Sequence, residues 1–138
     1  MSGLMLKLAP GERFIINGTM LENGDKPGRI RVPGPDVMVL RCRDALKPSE
    51  VDTPVKQVYY GIQLLITRDL DEADTLPALH RACEDLKAAF QPVNPDLIPI
   101  LQEMIRRGNY YSALCYMKQI IELESQLLGQ EEAGAMAA

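Results

Sequence analysis

Two periodicities divide the chain. Up to Arg43 the apolar residues come in short runs broken by turn-forming pairs, whereas beyond Thr53 they recur at three- and four-residue steps. A period of two marks strands with one buried face, and a period near 3.6 marks amphipathic helices. The first regime reads as Leu4-Met5-Leu6-Lys7-Leu8, Arg13-Phe14-Ile15-Ile16, Thr19-Met20-Leu21-Glu22, Arg29-Ile30-Arg31-Val32 and Val37 to Cys42. Pro10-Gly11, Asn17-Gly18, Asn23-Gly24 and Pro27-Gly28 punctuate it. Asn17-Gly18 predicts a two-residue hairpin, because a type I′ turn needs positive φ at both central residues. Pro33-Gly34-Pro35 is expected to interrupt the ladder, with Asp36 starting the next turn.

The helical regime opens at Asp52-Thr53-Pro54, a capping side chain followed by proline at the first helical position. Val58, Tyr59, Ile62, Leu65 and Ile66 then fall on one face. Asp69 to Asp74 reads as an acidic linker, and a second helix is expected from about Thr75 with Pro77 in its first turn. Its inward residues would be Leu79, Ala82, Cys83, Leu86, Ala89 and Phe90. Pro92, Asn94 and Pro95 end it. Asp96 is expected to cap a third helix with Pro99 at its third position, where the missing N–H costs nothing. Leu97, Ile98, Leu101, Met104 and Ile105 face inward there, and Gly108 closes the helix in a left-handed conformation. A last helix is expected from about Asn109 to Leu128, burying Tyr111, Leu114, Cys115, Ile121 and Leu128. The architecture so read is α+β: a small antiparallel sheet of short hairpins at 1–46, a four-helix assembly at 47–128 packed with it as one globular unit, and a flexible tail at 129–138.

Composition adds little until charge is split by region. At 138 residues the chain fits one domain, and its net charge of −4 disfavours indiscriminate binding to nucleic acid. Residues 1–43, however, carry a net +3 and the remainder −7. A basic sheet on an acidic helical portion points to an anionic partner, and equally to charge used to protect strand edges. No run approaches the roughly 20 apolar residues of a membrane span. The first residues do not resemble a secretory leader, and three scattered cysteines (Cys42, Cys83, Cys115) fit buried, reduced thiols in a cytoplasmic protein with no membrane association.

Motifs for catalysis are absent from the sequence. His80 and Cys83 lie three apart on a helix, but no third group orients the imidazole, so both read as structural. Asp69, Asp71, Glu72 and Asp74 lack the glycine and the distal glutamate of a calcium loop. With no phosphate loop, nucleophile elbow or paired histidines, no enzyme, metal or cofactor is expected. Gly108-Asn109-Tyr110-Tyr111-Ser112-Ala113-Leu114 echoes the opening of a tetratricopeptide helix, yet one copy is not an array. As a helical corner it makes Tyr110 and Tyr111 candidate partner contacts.

The arginines carry the remaining signal. Strand alternation puts Arg29 and Arg31 on one face, and Arg41 with Arg43 on one face opposite Leu40 and Cys42. Adjacent strands would thus align four guanidinium groups on a solvated surface, with Lys7 and Arg13 on neighbouring strands. A planar guanidinium grips a phosphate with two hydrogen bonds or stacks on an unpaired base. Lys7, Arg13, Arg29, Arg31, Arg41 and Arg43 are therefore the candidate RNA contacts. Phe14 is the one aromatic in this region available for stacking.

Several blocks carry a resemblance to a known family. They are Leu6-Lys7-Leu8-Ala9-Pro10-Gly11-Glu12-Arg13-Phe14-Ile15-Ile16-Asn17-Gly18, Glu22-Asn23-Gly24-Asp25, Leu40-Arg41-Cys42-Arg43-Asp44-Ala45, Thr53-Pro54-Val55-Lys56 and Gly108 to Leu114. Together they resemble FlbT, a flagellar regulator of alphaproteobacteria, over nearly the whole chain to Leu128. The resemblance implies a post-transcriptional repressor acting on the 5′ untranslated region of flagellin mRNA, lowering translation and promoting decay, alongside the flagellar protein FlaF. Some members of that family act positively. A fainter similarity links Met5-Leu6-Lys7-Leu8 and Gly11-Glu12-Arg13-Phe14-Ile15-Ile16 to the RNA-binding regulator CsrA. The paired arginines of that family are replaced here by Ala9-Pro10, so those contacts do not carry over; its late arginine would correspond to Arg41 or Arg43. A shared fold would imply a homodimer through the N-terminal sheet. The rival expectation is an adaptor that binds flagellin or FlaF through its helices and does not touch RNA.

Overall fold

The computed structural model describes residues 4–33 and 37–137, with side chains as far as Gly129. The interruption expected at Pro33-Gly34-Pro35 and the turn at Asp36 fall partly or wholly at 34–36, outside the described residues. Five strands precede four α-helices, so the fold is α+β. They are β1 (Leu4–Leu8), β2 (Arg13–Ile16), β3 (Thr19–Glu22), β4 (Gly28–Val32) and β5 (Val39–Arg41), then α1 (Pro54–Ile66), α2 (Glu72–Phe90), α3 (Leu97–Arg106) and α4 (Tyr110–Ala137).

The strands form two small antiparallel sheets. β1 pairs with β4 as a two-stranded ribbon, and β3-β2-β5 form the other sheet. Asn17 and Gly18 make the type I′ hairpin between β2 and β3, with φ of 50° and 81°. Asn17 is fastened further: its backbone N–H donates to the Met38 carbonyl at 2.8 Å and its side-chain Oδ1 accepts from the Met38 N–H at 2.9 Å. Those bonds tie the hairpin tip to the residue entering β5. β5 ends at Arg41, and Cys42–Asp44 form a 3₁₀ turn instead of continuing the strand as the sequence suggested.

Two apolar cores result. Leu6, Leu8, Phe14, Val32 and Val39 fill the space between the sheets, joined by half-buried Ile30 and Tyr111. The larger core lies among the helices and takes in Leu40. Successive residues of β5 therefore point into different cores, and all three of its residues are buried. That strand is the seam of the molecule.

The helices follow the sequence pattern, with departures in α2, α3 and α4. α1 is capped by Thr53, whose side chain accepts from the Lys56 N–H, as the Thr53-Pro54 pair predicted. α2 starts a turn early, at Glu72, where Glu72 and Asp74 favour the positive end of the helix dipole; Pro77 consequently sits inside it, and Ala89 is exposed. α3 begins after Asp96, but the Asp96 side chain makes no cap; Asn94 Oδ1 accepts the Asp96 N–H instead. Gly108, at φ 75°, ends α3 in a Schellman motif, with Asn109 N–H donating to the Met104 carbonyl and Gly108 N–H to that of Ile105. α4 buries Tyr110, Ala113, Leu114, Met117, Ile120 and Glu124, and continues past Leu128 as helix to Ala137. Cys115 and Leu128, expected inside, are exposed. Cys42 is half-buried, so of the three thiols only that of Cys83 lies fully in the core, where burial pushes its pKa up to about 11.

Candidate nucleic-acid interface

The ribbon presents its cations by pleat geometry alone. On β1, Leu6 and Leu8 turn inward and Met5 and Lys7 outward; on β4, Ile30 and Val32 turn inward and Arg29 and Arg31 outward. The register places Lys7 opposite Arg29 and Met5 opposite Arg31. Directly opposed residues in an antiparallel pair have Cβ atoms about 4.5–5.5 Å apart. Like charges so close repel, and a pair of this kind costs stability unless an anion lies over it. Among the described residues, no carboxylate comes within 4.0 Å of Lys7, Arg29 or Arg31.

Arg43 joins them from the 3₁₀ turn after β5. Lys7, Leu8, Ala9, Pro27, Gly28, Arg29 and Arg43 line a hollow of about 370 Å³. Arg43 is well exposed, and its Nε lies 4.0 Å from Glu12 Oε2. Beside the three cations its lining is Leu8, Ala9, Pro27 and Gly28, apolar or small residues. Asn23 ties the two backbone segments of that lining together, donating through Nδ2 to the carbonyls of Ala9 at 2.8 Å and Lys26 at 2.9 Å.

Arg41 is a different residue from the one the sequence suggested. It is 7% exposed, and its guanidinium is held on the Glu12 carboxylate at 2.6 and 2.7 Å and on the Lys7 carbonyl at 2.5 Å. The expected common face for Arg41 and Arg43 fails because the strand ends between them, and a 3₁₀ turn does not alternate its side chains. Glu12 in turn accepts the Ala9 N–H at 2.9 Å. Arg41 thus pins β5 to the turn that joins β1 and β2. The hydrogen bond from Arg41 holds the Glu12 carboxyl down at about 2, and Glu12 pushes the Arg41 guanidinium above its ordinary value. Arg13 is exposed but faces Glu22 across the β2–β3 register, with Nε 3.0 Å from Oε1.

Neither tyrosine forms an open corner. Tyr110 is buried in the helical core at 3% exposure, and its phenol is pushed up to about 12 by burial and by the Glu72 charge. Tyr111 is half-buried against the sheet core beside Arg41, its phenol also raised by burial. Phe14 is buried as well, so the stacking partner expected in the sheet faces inward. A further hollow of about 440 Å³ lies where α1 begins, lined by Asp52, Lys56, Glu122 and Glu124 among others. Its balance is acidic, and Glu124 spends one oxygen on the Val55 N–H at 3.1 Å. That hollow offers nothing to an anion. Among the described residues no group of three or more His, Cys, Asp and Glu side chains is placed to hold a metal ion. No helix among them is long and apolar enough to cross a membrane.

The cationic ribbon, the Glu12–Arg41 pin and the Asn17-Gly18 hairpin all fall within the stretch that matches a family model. The model described as flagellar protein FlbT matches residues 4–128. This chain belongs to the FlbT family. The flagellum biosynthesis repressor protein FlbT of Caulobacter vibrioides is 32% identical over 139 residues, spanning 97% of this chain and 95% of that protein. A probable flagellum biosynthesis repressor, FlbT 1 of Bradyrhizobium diazoefficiens, is 32% identical over 130 residues, spanning 94% and 88%. The probable FlbT of a Chelativorans species is 24% identical over 138 residues, covering 96% of this FlbT-family chain and 92% of its own length. No solved structure matches.

Proposed function

We propose that this FlbT-family protein represses flagellin synthesis by binding the 5′ untranslated region of flagellin mRNA through the outer face of the β1–β4 ribbon. Relatives named as repressors of flagellum biosynthesis support a regulatory role in flagellar synthesis. The observation that carries the RNA step is the exposed trio Lys7, Arg29 and Arg31, aligned across two strands and lacking carboxylate partners among the described residues. The protein acts without catalysis: occupying the leader hinders translation, and an untranslated message is exposed to decay. It works where messages are translated, in the cytoplasm.

The test is a titration of flagellin leader RNA with purified protein at several salt concentrations. Binding through phosphates weakens as salt rises, with a logarithmic slope of about −0.7 for each phosphate neutralised on a single strand. Arg29→Ala combined with Arg31→Ala should cut affinity by about tenfold or more, since hydrogen bonds to charged groups are the strong ones. Unchanged affinity in that double variant sinks the assignment of the face. A flagellin complex that resists ribonuclease, with no affinity for leader RNA, would support the adaptor instead.

A further inference from the structure

We propose that the hollow ringed by Lys7, Arg29 and Arg43 seats the phosphates of a single RNA strand and grips that strand without reading its bases. This rests on the RNA reading above and gives it a ligand form. Three features argue for it. Its three cations come from three separate elements, β1, β4 and the turn after β5, and converge on one concavity. A charge merely protecting a strand edge has no need of a third cation brought in from outside the ribbon.

The second feature is size. Each ribbon strand has five residues and so spans about 17 Å. A double-stranded RNA module covers about 16 base pairs and reaches two successive minor grooves. A ribbon of this length reaches only a few phosphates, and an open hollow of about 370 Å³ suits a flexible backbone laid into it. A regular duplex holds its phosphates at fixed spacing and cannot follow so small a concavity.

The third is composition. No aromatic side chain lines the hollow, and Phe14 lies in the core. Single-strand binders that recognise bases stack them on aromatic rings or pair with their edges. Here the lining offers guanidinium and ammonium groups beside aliphatic residues. Arg43 is the adjustable member: 4.0 Å from Glu12 and more than half exposed, it is restrained by the carboxylate but not bound up in it. A phosphate in the hollow draws it inward, while Glu12 keeps its tight contacts with Arg41.

The experiment uses the full chain and a fluorescent eight-nucleotide oligouridine, a matched RNA duplex and flagellin leader RNA. Expected are binding of oligouridine with a salt slope near −2, from about three phosphates at 0.7 each, and weaker binding of the duplex. Arg43→Ala should lower affinity for oligouridine about fivefold or more and flatten the slope by about 0.7. Arg81→Ala, which removes an exposed charge on α2, should change neither. Circular dichroism of each variant shows that it is folded. Inorganic phosphate should displace the oligomer no better than other salts at equal ionic strength; stronger displacement makes the hollow a seat for free phosphate and overturns the proposal. Equal affinity for the duplex overturns it too. If leader RNA binds while Arg43→Ala and Lys7→Ala/Arg29→Ala both match the parent protein, the hollow is not the seat, although RNA binding stands. If no RNA binds at all, the proposed function itself falls.

Discussion

The two sheets use arginine in opposite ways. In the β1–β4 ribbon Arg29 and Arg31 stand outward on alternate pleats, facing Lys7 and Met5 across the register, with no carboxylate partner among the described residues. In the β3-β2-β5 sheet Arg41 is sealed under the surface on Glu12, and Arg13 lies against Glu22. Charge alone does not separate these roles. What separates them is the residue across the strand and whether water reaches the guanidinium. A buried arginine without its carboxylate is costly, so Arg41 is committed to structure. Arg29, with Lys7 opposite, and Arg31, with Met5 opposite, have no carboxylate partner among the described residues and are not committed to structure in that way.

The contrast can be broken most forcefully at its buried end. Arg41→Ala strips Glu12 of its close partner, leaving the Ala9 N–H and the more distant Arg43, and should cost about 3 kcal/mol in urea unfolding. Arg29→Ala/Arg31→Ala should stay within about 0.5 kcal/mol of the parent by the same measurement, since both side chains are exposed. Comparable losses in the two variants would erase the distinction. Acid sharpens it next. Glu12 has its pKa depressed in the folded protein to about 2, below the ordinary carboxylate value of 4.5, so the stability it contributes is full above about pH 4.5 and is lost as pH falls toward 2. Unfolding curves from pH 5 to pH 2 should show that decline, and Glu12→Gln, weaker from the start, should show less of it.

Smaller effects lie at the hairpin and the surface. Gly18→Ala forces a side chain into φ 81° and should cost on the order of 1 kcal/mol, read as a lowered melting temperature. Arg13→Ala removes an exposed pair and should change stability by less than about 1 kcal/mol. A larger loss there would show that Arg13 shares the structural duty of Arg41.

Local rules made much of this legible. Asn-Gly placed the β2–β3 hairpin, Thr53-Pro54 the start of α1, and Gly108 the end of α3, because each signal is satisfied within a few residues. Alternation likewise exposed Arg29 and Arg31. It misplaced Arg41 because its partner Glu12 lies 29 residues away and nothing nearby announces a strand ending at that point. The phase of α4 slipped for a related reason: Tyr110, Met117 and Glu124 define the buried stripe, and a carboxylate is discounted as an inward residue unless its partner, the Val55 N–H, is known. The hollow was invisible in sequence because its walls come from three elements. Met5 on the cationic face was open to discovery, since alternation puts it beside Lys7, but an exposed methionine draws less notice than a charge.

β5 gives up one side chain to each core, Val39 to the sheets and Leu40 to the helices. An element so shared has no loyalty to either half. Its place among the strands rests on α1 and α4 as well as on β2, with Tyr111 closing over the sheet side. A chain lacking its last helix would keep its N-terminal basic residues but lose part of the frame on which β5, and the turn carrying Arg43 after it, are seated.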